Sequence, residues 1–286
     1  MNKLTCITVD VDRIDQFNSE KVQTLTETIL DLFSEFGVRG TFFVCGESVL
    51  EHQDIVKWIA EDHEVAAHGY FHRNLRQIKT HELRQEIRMA HEAFEKIGVE
   101  CVGFRCPHLV IPPHLGPILR ENKFIYDSSQ VDSFFIAQRL VFPFTRMKVD
   151  DIIEIPIQTF TVLRLPLSLS ALRLLGPKRF AKHLPDTIDH FYFHLWEFDR
   201  MGSSSGDSSW RSNTAHQVGM KKDLLKGYWD FLTGQPTSPA DLTGRNTGEE
   251  AIKIVHILLK ELAQRGTKFV TCAEWANAQI ASTEPL

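Results

Sequence analysis

The chain has no CxxC pair, and its five cysteines, Cys6, Cys45, Cys101, Cys106 and Cys272, are an odd number. Neither a disulfide framework nor a zinc knuckle is expected, and a reducing, cytoplasmic compartment is the simpler setting. No apolar run reaches the roughly 18 residues of a membrane-spanning helix. The chain enters its first strand by about Leu4, which leaves no room for a charged and then apolar leader. Basic charge is not in excess: 32 Lys and Arg stand against 37 Asp and Glu, for a formal net charge of -5. Affinity for phosphate backbones rests on clustered cations, so nucleic acid is not an expected partner. GTFFVCGES (40 to 48) lacks the GK[ST] ending of a phosphate loop. There is no internal repeat, and nothing marks an interdomain linker.

What remains is a chain of 286 residues, 43% hydrophobic, able to bury a proper core as one domain over 1–286. Strand-like runs alternate with helical patterns. LTCITVDV is followed by a helix-period stretch over 19–36, then GTFFVC, a helix around 48–61, EVAAHG and a helix over 80–97. VGFRCP, a short helix after Pro112 and Pro113, KFIYDSS, EIPI and HFYFHLW come next, with TKFVTC preceded by a helix near 249–264. Such alternation points to parallel strands with crossover helices, in an open doubly wound sheet or a barrel. Two stretches break the rhythm and are expected as insertions, about 130–186 and 200–248. Between Glu154 and Asp186 there is no acidic residue, while Arg164, Arg173, Lys178, Arg179 and Lys182 accumulate.

Ligand-capable residues fall at or just after the ends of the expected strands: Asp10 and Asp12, His68 and His72, Arg105, Asp127 and His194. Strand C-termini and the loops beyond them build the active sites of α/β barrels. Asp10 and Asp12, two apart on a strand, share one face, where like charges repel unless something positive lies between them. His68 and His72 in HGYFH have an HxxxH spacing that can bring two imidazoles round one ion. With Asp12 they make two nitrogens and one oxygen, a set that leaves positions open for water and substrate. The blander readings are a solvated strand end for the aspartates and a chance pairing among 13 histidines.

Seven motifs occur in order: TVDVD, GTFFV, HGYFH, FRCP, YDSS, YFHLWEF and KFVTCAEW. In that order the chain resembles the polysaccharide deacetylase family, the carbohydrate esterases related to nodulation chitooligosaccharide deacetylase, in the branch with a DVD opening. The resemblance implies a distorted (β/α) barrel of about seven parallel strands carrying the two insertions. It implies a metal-dependent hydrolase that removes an N-acyl group, foremost acetyl, from an amino sugar of a glycan or glycan precursor. Asp10 would be the general base, and Asp12, His68 and His72 the metal ligands. Arg105 would hold the base ionised, and His194 would be the general acid, supported by Asp127 or by Asp132. Pro107 and the backbone amide of His108 would shape the site and its oxyanion hole. Zn2+ suits such ligands, and Co2+, Fe2+ or Mn2+ also fit.

The chain departs from the family pattern in places. Val11 separates the two aspartates that are commonly adjacent, which resembles the branch that includes allantoinase-like enzymes of small cyclic amides. Leu195 stands where a proline is usual, and no Trp follows YDSS, so Trp196 or Trp210 would line the sugar pocket instead. Trp196 and Glu197 also suit plain packing. A catalytically silent glycan-binding member is a third reading. The basic run between Ile155 and Pro185 would dock on an anionic membrane surface or a lipid-linked sugar pyrophosphate, against plainer roles as a lid or an oligomer contact.

Overall fold

The computed structural model describes residues 4–12, 17–131, 152–160, 165–175, 185, 187–200 and 246–283. Strand β1 (Leu4–Val11) is the spine. It pairs in parallel with β2 (Thr41–Val44) on one side and with β9 (His190–His194) on the other. From β2 the sheet continues through β3 (Glu64–Ala67), β4 (Gly103–Phe104), β5 (Tyr126–Asp127) and β6 (Ile153–Glu154). These seven parallel strands form the distorted barrel that the sequence led us to expect. The short β10 (Lys268–Phe269) adds to the first two residues of β1, and β7 (Thr159–Phe160) with β8 (Leu165–Pro166) makes a separate antiparallel pair. Most of the two expected insertions, Trp210 included, lies outside the described residues.

The alternation within β1 explains its composition. Ile7, Val9 and Val11 join an apolar cluster with Val22, Leu25, Ile29 and Phe33 of helix α1 (Ser19–Phe36). The intervening Thr8 and Asp10 point inward, because side chains of successive strand residues face opposite sides. Helix α1 starts where the Asn18 side chain accepts the Lys21 amide at 2.8 Å and ends at left-handed Gly37, as its cap residues dictate. Helices α2 (Gly46–Glu51), α3 (Gln53–Asp62), α4 (Thr80–Ile97) and α5 (Leu115–Glu121) complete the crossovers. The single helix expected over 48–61 is thus two, interrupted at His52, whose ψ of 41° leaves the helical range. Later come α6 (Leu169–Leu175), α7 (Glu249–Gln264) and α8 (Cys272–Thr283).

Register decides which side chains meet. Asp10 is the lateral neighbour of His194 on β9, and Asp127 of Glu154 on β6. At the opposite end of the strands, Tyr126 passes over Gly103 and donates to Glu64 at 2.7 Å. A Cβ at Gly103 would lie 2.0 Å from the Tyr126 ring, so only glycine lets the phenol through. Gly103→Ala should therefore destabilise the fold by about 3 kcal/mol through overpacking. A urea midpoint equal to that of the parent chain would show that the ring has room to move.

Candidate active site

Arg105 anchors the site. It is fully buried, and each of its five N–H groups has an acceptor. Nε donates to the Ser128 carbonyl (3.0 Å), Nη2 to Ser128 Oγ (2.9 Å) and His190 Nε2 (2.9 Å), and Nη1 to Thr8 Oγ1 (3.1 Å) and the Asp10 carboxylate. Its guanidinium carbon lies 3.9 Å from the centre of the Phe43 ring, a cation–π contact. Burial works against charge on Asp10, but Arg105, with His68 and His194, outweighs it and holds the carboxyl below its usual range. Asp10 is therefore a carboxylate at neutral pH.

Asp12, His68 and His72 meet beside this pair. Asp12 Oδ2 is 3.4 Å from His72 Nε2, and the His68 and His72 rings are centred 5.0 Å apart. His68 Nδ1 sits 2.9 Å from the Arg105 carbonyl, so Nδ1–H is the donor and the Nε2 lone pair is left to accept. Burial keeps that ring neutral, despite Asp10 and Asp12. Among the described residues no three such donors are drawn together into a closed metal cluster. The donor set nonetheless fits a divalent cation: one carboxylate and two imidazoles as neighbours, with the tautomer of one fixed by a carbonyl.

The turn carrying these histidines is shaped from below. Gly69 has φ of 71°, and a Cβ there would be 3.0 Å from Pro107 Cγ. Glu86, buried on α4, accepts the amides of Tyr70 (2.9 Å) and Phe71 (2.8 Å) and pairs with Arg73 at 3.0 Å. This brace was not expected from the sequence. Its visible trace was an acidic residue on the apolar face of α4, between Leu83 and Ala90. Pro107 is buried under the turn, and the left-handed His108 (φ 58°) places its ring edge-on to His72, with centres 4.6 Å apart.

His194 lies across the site, partly exposed, and its ring contact separates the structure from the sequence expectation. Its Nδ1 is 3.2 Å from Glu197 Oε2, which also accepts the His194 amide at 2.9 Å. The other oxygen of Glu197 accepts from Arg173 Nε (2.7 Å) and Ser170 Oγ (2.9 Å), both on α6. Although Glu197 is fully buried, Arg173 and His194 hold its pKa down to about 2. Burial would lower the pKa of His194, but Asp12, Glu197 and Asp10 together raise it. Asp127, expected as the support of His194, instead accepts from Ser129 Oγ at 2.6 Å and faces Glu154. Asp132, the other expected support, lies outside the described residues. Trp196 is largely buried, with its ring centred 5.4 Å from that of His194 and Arg173 beside it. Arg173 is thus the one basic residue of the acid-free run whose side chain is described, and it is buried here.

With this geometry in view, comparison with known proteins is decisive over the first part of the chain: residues 3–124 match the model of the polysaccharide deacetylase family. Over that stretch the chain is similar to this family. A peptidoglycan-N-acetylglucosamine deacetylase of Bacillus cereus is 34% identical over 114 residues, 40% of this chain and 38% of that relative. The chain thus aligns with well under half of the curated relative's length. Among solved structures, a peptidoglycan N-acetylglucosamine deacetylase, Bc1960, superimposes with a TM-score of 0.52 at 15% identity, over 95% of this chain and 86% of that one. A CE4 family pseudoenzyme of Bacillus anthracis, BA3943, gives 0.52 at 12% identity, over 96% and 65%. These likenesses extend the polysaccharide deacetylase fold beyond residue 124.

His190, too, went unnoticed in the sequence. Its Nδ1 lies 3.2 Å from the Pro156 carbonyl, so Nε2 accepts from Arg105. Burial and that guanidinium push its pKa down to about 3, which keeps it a neutral acceptor. Lysine in place of Arg105 has three donors for five acceptor sites and cannot fork. Arg105→Lys should cost about 3 kcal/mol, and denaturant unfolding will measure it. An unchanged midpoint would mean that the network does not hold the strands together.

Proposed function

We propose that the chain is a metal-dependent N-deacetylase acting on an amino sugar of a glycan or glycan precursor. The observation that carries this reading is the opposed charge state of two lateral neighbours. Asp10 is kept ionised by Arg105, while Asp12, Glu197 and Asp10 raise the pKa of His194 and favour its imidazolium form. Hydrolysis of an amide needs such a pair: a carboxylate to take a proton from water and an imidazolium to deliver one to the departing nitrogen. Asp12, His68 and His72 would hold the cation. When bound, it would polarise the amide carbonyl and bring the pKa of a water from ~15.7 towards ~7. Zinc suits two histidines and an aspartate, and cobalt, iron and manganese accept the same donors.

Four acceptors constrain Arg105 besides Asp10, so the base cannot swing away from the water it deprotonates. Glu197 orients His194 through Nδ1, which leaves Nε2–H as the proton to be delivered. Trp196 and Tyr192 flank that ring and limit its exposure to solvent. Pro107 and the His108 amide would border the acyl oxygen. An amino-sugar substrate is supported by the named activity of the relative from Bacillus cereus. A cytoplasmic site of action, supported by five free and buried cysteines, would favour a glycan precursor over assembled polymer.

The competing reading, a silent glycan-binding member, has no use for a buried cation fixing the charge on Asp10 or for a second one fixing Glu197. Amine release from a panel of N-acetylated oligosaccharides, run beside a small cyclic amide, tests the reading directly. Asp10→Asn should lose at least 100-fold in kcat with bound metal retained, and His68→Ala should lose the metal itself by elemental analysis. An active Asp10→Asn chain would remove that residue as the base.

Glu197 makes a separate prediction, with a definite sign. Its negative charge favours the imidazolium, so Glu197→Gln lowers the pKa of His194 and empties the acid form at lower pH. The alkaline limb of the kcat/KM profile should move toward acid, with the acid limb, set by Asp10, unmoved. A shift of both limbs, or of neither, counts against His194 as the acid.

A further inference from the structure

Behind Arg105 lies a second pair of carboxyl groups that the chemistry above does not use. Asp127 and Glu154 are lateral neighbours on the parallel strands β5 and β6. One oxygen of each is satisfied: Asp127 Oδ1 accepts from Ser129 Oγ at 2.6 Å, and Glu154 Oε1 accepts from the Gln130 amide at 2.8 Å. The other two, Asp127 Oδ2 and Glu154 Oε2, are shut off from solvent and have no donor. Among the described residues no charged group supplies one. The described groups facing the pair are Arg105 and Cys106 beyond β4, and Ser128 and Ser129 in the loop after β5. All five donors of Arg105 are committed elsewhere, the Cys106 thiol is buried and kept protonated, and both serine hydroxyls are engaged.

Two adjacent buried carboxylates with no cation between them are not stable side by side. A proton on either one converts it into the donor that the other lacks. We propose that Asp127 and Glu154 share one proton, and that this acid pair is a positioning device for the segment running from Arg105 to His108. The link is Ser129, whose Oγ donates to Asp127 and accepts the Cys106 amide at 2.7 Å. That amide sits between the guanidinium on Asp10 and the turn that presents Pro107 and His108. Burial raises the pKa of both carboxyls, as a shared proton requires, and the two titrate as a unit.

The folded pair holds its proton above the pH at which the unfolded carboxyls release theirs, near 4 to 4.5 by ordinary values. Its favourable contribution is complete below that range. It declines as pH rises, and it is gone once the folded pair ionises fully. Glu154→Gln supplies the missing donor permanently through its amide, as does Asp127→Asn from the other side.

Thermal midpoints of the full chain from pH 5 to 9 should fall with pH more steeply in the parent than in either variant. The infrared band of a protonated carboxyl at neutral pH should be present in the parent and absent from both variants. Ser129→Ala should keep that band and the parent's pH slope. If one variant removes the slope and the other does not, or if the infrared band survives both, the shared proton is wrong. The part that rests on the deacetylase reading is tested separately. Ser129→Ala should lower kcat several-fold, whereas Glu154→Gln should stay within about twofold of the parent at pH 7. Unaltered kcat in Ser129→Ala overturns the positioning role. If the parent releases no amine from any glycan, the proposed function fails while the midpoint and infrared measurements still decide the acid pair.

Discussion

A single buried cation organises this molecule. Removing a guanidinium from water costs several kcal/mol, and the cost is recovered only if every donor finds an acceptor of good geometry. Arg105 meets that demand with acceptors from β1, from the loop after β5 and from β9. The strands are therefore bound to one another at the end where the site lies. One of the acceptors is Asp10, so the interaction that closes this end of the barrel also sets the charge of the proposed base. Thr8 and His190 are needed for the same reason: without them two N–H groups would be buried unsatisfied.

The opposite wall of the site repeats this solution with different residues. There Glu197 is the buried group and Arg173 its partner, brought in by α6 from within the first insertion. The pairing holds a carboxylate against His194 and raises the basicity of that ring, where Arg105 lowers the pKa of Asp10. Two buried ion pairs thus push two neighbouring titratable groups apart, which is the arrangement expected of an acid and a base working on one substrate. Segment 155–185 therefore contributes at least one residue to the interior of the site rather than to a surface.

Much of the fold was legible because it rests on local rules. The alternation in LTCITVDV, the caps of α1 and the apolar spacing of α4 announce their elements within a few residues. The errors are of short range too. His52 breaks one expected helix into two, the expected strands around Gly103 and Tyr126 shrink to two residues each, and the strand expected at EIPI pairs instead over Ile153–Glu154, because pairing partners and not propensity end a strand. The site was legible where residue type and spacing carry the chemistry, as with His72, which lies between Asp12 and His68.

What could not be read are the partners supplied across the fold. Glu86 lies 16 residues from the amide it braces, His190 lies 85 from the guanidinium it accepts, and Arg173 lies 24 from Glu197. Asp127 was expected beside His194, yet the register of β5 on β6 gives it Glu154, and the four-residue turn after β9 (Leu195–Phe198) gives His194 its own carboxylate. The sequence by itself determined the strand–helix order, the inward line of Thr8 and Asp10 and the identity of the reactive groups, since periodicity and side-chain chemistry are properties of the chain. Only the tertiary structure decided which buried charge meets which, because the cost of desolvation is settled by neighbours that strand register and helix docking bring together.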